Sequence, residues 1–120
     1  PFLSFLFPVG SEDNNAYTFD VRKLSEAAVV HGGHVKAVMD VAFSPTGTEL
    51  VTGSYDCTLR IFGAQMRRSR DVYHLRRMQR VFAVRWSADD KYIFSGSDEA
   101  NIRVWKARAA ERIAPLSAKE

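Results

Sequence analysis

Small, acidic and aromatic residues return along this chain at a fixed interval of 43 residues. Gly10-Ser11, Gly53-Ser54 and Gly96-Ser97 mark three copies, the acids Asp13, Asp56 and Glu99 follow, and Phe19, Phe62 and Trp105 close each copy without a gap. The two fuller copies also match upstream, Val38 with Val81, Val41 with Val84, Phe43 with Trp86 and Ser44 with Ser87, and Arg60 matches Arg103. A repeat of this length restricts the fold severely, because one unit cannot bury its apolar face alone and must stack against its neighbours.

Each unit has the two-residue period of strands. Met39, Val41 and Phe43 alternate, as do Phe82, Val84 and Trp86, and both runs stop at a serine turn. In Ser44-Pro45-Thr46-Gly47 the proline presets φ and the glycine accepts a positive one, and Ala88-Asp89-Asp90-Lys91 fills the same slot in the next copy. Second strands are expected over Leu50 to Ser54 and Tyr92 to Ser97, and third strands over Thr58 to Phe62 and Asn101 to Trp105. A weaker fourth strand is expected at Val72-Tyr73-His74-Leu75. Four short strands per unit at a period of roughly 40–45 residues predict an all-β chain of antiparallel, four-stranded propeller blades. The predicted organisation is the end of a partial blade over 1–22, repeats over 23–66 and 67–113, and the start of a tail over 114–120, about two and a third blades in all. Roughly three repeats are usually needed for independent stability, so this segment is expected to be marginal alone.

Gly33-His34, Ser44-Pro45-Thr46-Gly47, Gly53-Ser54-Tyr55-Asp56 and Ile102-Arg103-Val104-Trp105 resemble the marker segments of WD repeats. Many blades of that family carry a hydrogen-bonded tetrad of His, Ser/Thr, Asp and Trp. Here the resemblance implies bracing by His34, Thr52 and Asp56 in one repeat, with Phe62 in place of the tryptophan. In the next it implies Ser95 and Trp105, with Glu99 for aspartate and Arg77 where histidine would sit. Both tetrads are incomplete, so apolar packing is expected to hold the blades, helped by partial polar bracing.

The words Glu12-Asp13-Asn14-Asn15, Tyr17-Thr18-Phe19-Asp20, Ser69-Arg70-Asp71-Val72-Tyr73-His74 and Arg77-Met78-Gln79 narrow the match, and over roughly residues 11 to 118 the chain resembles the Sof-type WD-repeat proteins. Pro1 to Gly10 fits that pattern poorly and Pro8 is awkward in a strand, so this stretch reads as a damaged blade edge. Members of the family are components of the nucleolar small-subunit processome, which matures the small ribosomal RNA. The resemblance therefore implies a scaffold of the nucleus and nucleolus. Its partners would be proteins of a ribonucleoprotein assembly, with ribosomal precursor RNA or small nucleolar RNA as candidates.

Charge gives one candidate surface. The net charge is only +3, yet Arg67, Arg68, Arg70, Arg76, Arg77 and Arg80 crowd into fourteen residues with Asp71 as the sole acid among them. Guanidinium groups pair bidentately with phosphate and stack on bases, so this ridge suits RNA; a solvated rim or a patch for an acidic protein is the plainer reading. Phe19-Asp20-Val21-Arg22 resembles the aromatic-Asp-x-Arg box by which many WD-repeat proteins dock on the adaptor of cullin-RING ubiquitin ligases. So short a pattern also arises by chance, with Asp20 an ordinary strand-end residue. It supports an alternative function as a ligase substrate receptor; a generic interaction propeller is a third.

The remaining chemistry-bearing residues argue against catalysis. His31, His34 and His74 lack the spacing of metal ligands, and the adjacent acids Asp89-Asp90 and Asp98-Glu99 are not an opposed catalytic pair. No nucleophile elbow or phosphate-cradling loop occurs, so no catalytic, metal or cofactor residue and no small-molecule substrate is expected. Cys57 is the one cysteine, which fits a reducing compartment. Pro1 to Val9 is apolar but too short to span a bilayer, and neither a signal peptide nor a membrane partner is expected. Opening on proline rather than methionine, the chain reads as a segment of something longer.

Overall fold

Ten strands make three antiparallel sheets in the computed structural model, which describes residues 6–74, 80–97 and 102–107. The first sheet joins β1 (Leu6–Gly10), β2 (Ala16–Asp20) and β3 (Val29–His31). The second, a complete four-stranded blade, runs β4 (Val38–Phe43), β5 (Glu49–Ser54), β6 (Leu59–Gly63) and β7 (Ser69–Tyr73) in order. The third contains β8 (Val81–Trp86), β9 (Tyr92–Ser97) and β10 (Ile102–Lys106). The all-β, blade-like architecture expected from the repeat is present. β7 begins three residues earlier than the sequence suggested, and Leu75 lies outside the described residues.

Turn chemistry repeats with the period. Gly47 (φ 76°) closes its turn by donating from its amide to the Ser44 carbonyl at 2.9 Å, and Asp90 (φ 65°) donates equivalently to Ser87 at 3.1 Å. Aspartate is among the few side chains that tolerate the left-handed region, so it replaces glycine there. Between the second and third strands Asn14 (φ 76°) and Cys57 (φ 67°) share another left-handed slot.

The first strand of each fuller repeat breaks its alternation once. A bulge falls between Val38 and Asp40 and again between Val81 and Ala83. The extra residue shifts the alternation, so Val81 and Val84 are both buried while Phe82 is 42% exposed; Val38 is likewise buried and Met39 is exposed. The stretch read as a damaged blade edge, Pro1 to Gly10, is an undamaged edge strand over its described part. β1 pairs with β2 in continuous register from Leu6↔Asp20 to Gly10↔Ala16, and Pro8 opposes Thr18. β1 is an edge of its sheet among the described residues, the place where proline is tolerated.

The core lies between sheets. Val51, Leu59 and Ile61 of the second blade meet Val81, Val84 and Ile93 of the third, with Trp86, Tyr73 and Trp105 packed at the margin. β5, sandwiched on both faces, is buried from Leu50 to Ser54, whereas Ile102 and Val104 on β10 are exposed. Glycine sets the approach distance: a Cβ on Gly53 would meet Val81 Cγ1 at 2.6 Å, and one on Gly10 would meet Val38 Cγ1 at 2.9 Å. Polar bonds cross the same seams. Asp40 accepts from the Val84 amide at 3.0 Å, and the Trp86 indole donates to the Ala42 carbonyl at 3.2 Å.

Candidate interaction surface

Local bracing fixes the frame that carries the surface. In the second blade the His34 Nδ1–H donates to Asp56 at 3.0 Å, and Nε2 lies 2.6 Å from Thr52 Oγ1. Asp56 also accepts from the Val35 amide at 3.0 Å and from Thr58. Burial pushes the Asp56 carboxyl up, but the bonds from His34, Thr58 and Val35 outweigh it and hold the group well below the usual carboxylate range. In the third blade the Trp105 indole donates to Ser95 Oγ at 3.0 Å; Glu99 lies outside the described residues. Phe62, without an indole donor, is fully buried.

A second brace was not anticipated from sequence. His31 Nδ1 lies 2.6 Å from the Met66 carbonyl, an acceptor only, so this nitrogen carries the proton and Nε2 accepts from Thr18 Oγ1 at 2.8 Å. The ring meets Phe62 edge-on at 5.0 Å, whereas Tyr73 stacks face to face on Trp105 at 5.2 Å. The two share a ladder position, because Ala16↔His31 corresponds to Leu59↔Tyr73. A strict interval of 43 pairs His31 with His74 and hides the equivalence. Burial pushes the His31 imidazole below its ordinary value, against the opposing bond to Met66.

The structure divides the six ridge arginines. Arg70 donates to Glu49 at 2.6 Å, pairs with Asp71 and reaches the Ala107 carbonyl at 2.6 Å, tying the second blade to the third. Arg80 lies over the Tyr55 ring, 4.8 Å from its centroid. Arg76 and Arg77 lie outside the described residues. Arg67 and Arg68 instead join Arg60 in lining a cleft of about 710 Å³, whose other walls include Val30, Gly32 and Gly33. The Gly32 amide donates to the Arg67 carbonyl at 3.0 Å, so the cleft sits where the first sheet's outer edge meets the second's. Arg60 was visible in the sequence only as a repeat match, since its distance from the cluster concealed its place in the cleft.

The candidate adaptor box is a tight local unit. Arg22 donates to Asp20 through Nε at 3.0 Å and Nη2 at 2.7 Å, and its amide donates to the same carboxylate at 2.9 Å. These bonds hold the Asp20 carboxyl down at about 2. Phe19 stacks on Phe7 at 5.7 Å one residue away. Among the described residues no group of three or more His, Cys, Asp or Glu is placed to hold a metal ion. No helix among them is long and apolar enough to cross a membrane.

Comparison with known proteins agrees with this geometry. The family described as "WD domain, G-beta repeat" matches residues 26–63 and 72–106. The chain is 52% identical over 120 residues to DDB1- and CUL4-associated factor 13 of Xenopus laevis, covering 100% of this chain and 27% of that protein. It is 53% identical over 112 residues to Protein SOF1 of Saccharomyces cerevisiae, covering 93% of this chain and 23% of that protein. The human DDB1- and CUL4-associated factor 13 is 52% identical over 97 residues, 81% of this chain and 22% of that protein. The chain thus spans about a quarter of the length of the curated relatives it matches, and the Xenopus match includes the opening residues Pro1 to Gly10. On its repeats, its sheets and these likenesses, the chain belongs to the WD-domain, G-beta-repeat family, among its Sof-type members.

Proposed function

We propose that this segment is part of a WD-repeat scaffold subunit of small-subunit ribosome assembly, working in ribosomal RNA processing in the nucleus and nucleolus. The observation that carries the reading is the near-complete coverage of the chain by its likeness to Protein SOF1, at 53% identity. The role is non-catalytic: packed blades offer surfaces and edges, and the partners are proteins of a ribonucleoprotein assembly together with precursor RNA. RNA contact runs through the arginine-rich outer edge, where phosphate contacts position the scaffold without reading sequence and weaken with salt.

The test is depletion of the full-length protein and rescue. Unprocessed small-subunit precursor RNA should accumulate and be cleared by the parent protein. Normal processing after complete depletion would overturn the reading.

A second reading, substrate receptor of a cullin-RING ligase, is favoured by the Asp20–Arg22 pair and by relatives named as associated with DDB1 and CUL4. Under it, Arg22→Ala abolishes adaptor capture in a pull-down while leaving precursor processing intact. Under the leading reading Arg22→Ala changes neither.

A further inference from the structure

We infer that the cleft formed by Arg60, Arg67 and Arg68 is a phosphate-binding site for the backbone of a single-stranded nucleic acid. The inference deepens the scaffold reading above and rests on it for the ligand's class. Its strongest support is a contrast within one short stretch. The fold gives Arg70 a carboxylate from Glu49, another from Asp71 and the Ala107 carbonyl. Among the described residues it brings no carboxylate within ion-pair distance of Arg60, Arg67 or Arg68.

Arg60 makes the case specific. Its Nη1 donates to Ser69 Oγ at 3.2 Å, yet its Nε is buried without a hydrogen-bond partner. A buried orphan donor is costly, the more so when charged, and calls for an acceptor supplied from outside. Gly33 gives the guanidinium its room: the residue sits at φ 131°, and a Cβ there would lie 2.8 Å from Arg60 Nη1. Any other residue would be strained and would push the arginine away.

Size and shape select the ligand. A cleft of about 710 Å³ exceeds what a lone carboxylate fills and suits a group of nucleotide size. Val30 and the side-chain-free surfaces of Gly32 and Gly33 give an apolar wall for a sugar or base, with guanidinium groups beside it. A phosphodiester presents two unbridged oxygens at every unit and can engage several guanidinium groups at once. An acidic peptide offers single carboxylates on flexible arms and leaves the apolar wall unused.

The experiment measures binding of a fluorescent oligouridylate to the purified full-length protein by anisotropy across a salt series. The double variant Arg67→Glu/Arg68→Glu, changed at exposed positions, should bind about tenfold or more weakly and lose about one unit of the log-affinity against log-salt slope. Arg60→Gln should weaken binding several-fold without lowering the melting temperature, because loss of the Ser69 bond is offset by removal of the buried orphan donor. The charge-matched control Lys36→Glu/Lys91→Glu, at exposed lysines outside the cleft, should change affinity by less than about twofold. Parent-like binding by the arginine double variant, or an equal loss in the lysine control, would overturn the site. Displacement by polyglutamate as readily as by unlabelled oligouridylate would assign the cleft to an acidic protein instead. Absent oligouridylate binding with normal precursor processing refutes the cleft alone, and retained binding with no role in processing refutes the scaffold reading alone.

Discussion

Replacing Gly53 by alanine should loosen the junction between the second and third blades. The added methyl would lie 2.6 Å from Val81 Cγ1 and 3.0 Å from Val84 Cγ1, where carbon contacts settle near roughly 3.5–4.0 Å. Both valines are buried, so the methyl cannot be accommodated by swinging a flexible side chain into solvent. Overpacking of this kind costs about 1–3 kcal/mol. Removing a glycine from a strand interior gives back about 0.5–1 kcal/mol. The net expectation is a loss of about 1–2 kcal/mol, or a fall in Tm of about 2–8 °C for a domain the size of a whole propeller. Denaturation of the full-length protein reads it directly.

A double-mutant cycle isolates the cause. Val81→Ala alone removes two buried methyl groups at a cost of about 1.5–3 kcal/mol. In the double variant the new methyl occupies the space they left, so the loss should fall short of the sum by about 1 kcal/mol. A neutral Gly53→Ala, or strict additivity with Val81→Ala, would refute glycine-set blade spacing.

Phe62→Ala should cost about 3–5 kcal/mol in the same assay, because Phe62 is fully buried and meets the His31 ring edge-on; a loss below about 1 kcal/mol would contradict the packing. Cys57→Gly should stabilise by about 1 kcal/mol, since a left-handed φ of 67° is unfavourable for a cysteine side chain, and a destabilised variant would mean the slot is misassigned. Stability should also decline as pH falls below about 6.5. Burial lowers the folded-state value of His31, so the unfolded chain binds the extra proton first; the stabilisation is present above the unfolded value and is lost as pH drops towards the folded one. His31→Gln should flatten that part of the pH profile, and an unchanged slope would remove His31 as its source.

The repeat period makes the serine turns and the strands of the two fuller repeats legible in the sequence, and the likeness to WD repeats implies the His34–Thr52–Asp56 contacts and the Ser95–Trp105 bond; β3 (Val29–His31) carries no such signal. What escaped was set by register and by contacts distant in sequence. The bulges at Val38/Asp40 and Val81/Ala83 break the alternation and turn Met39 and Phe82 outward while Val38 and Val81 are buried, a one-residue effect that alternation cannot show. The irregularity between Ile61 and Phe62 likewise accompanies the offset between His31 and Tyr73. The arginine cluster was legible as composition, but its division was not. Glu49, 21 residues from Arg70, claims one arginine, and Tyr55 sits under another. Arg60 joins two of the rest only because β6 lies beside β7.

Sedimentation of the tagged full-length protein in a nuclear extract tests the proposed scaffold role most directly. The account predicts that it migrates with small-subunit precursor particles and is released by ribonuclease or by raised salt. Migration only with free protein, or solely with a ligase adaptor in fractions devoid of precursor RNA, would contradict it.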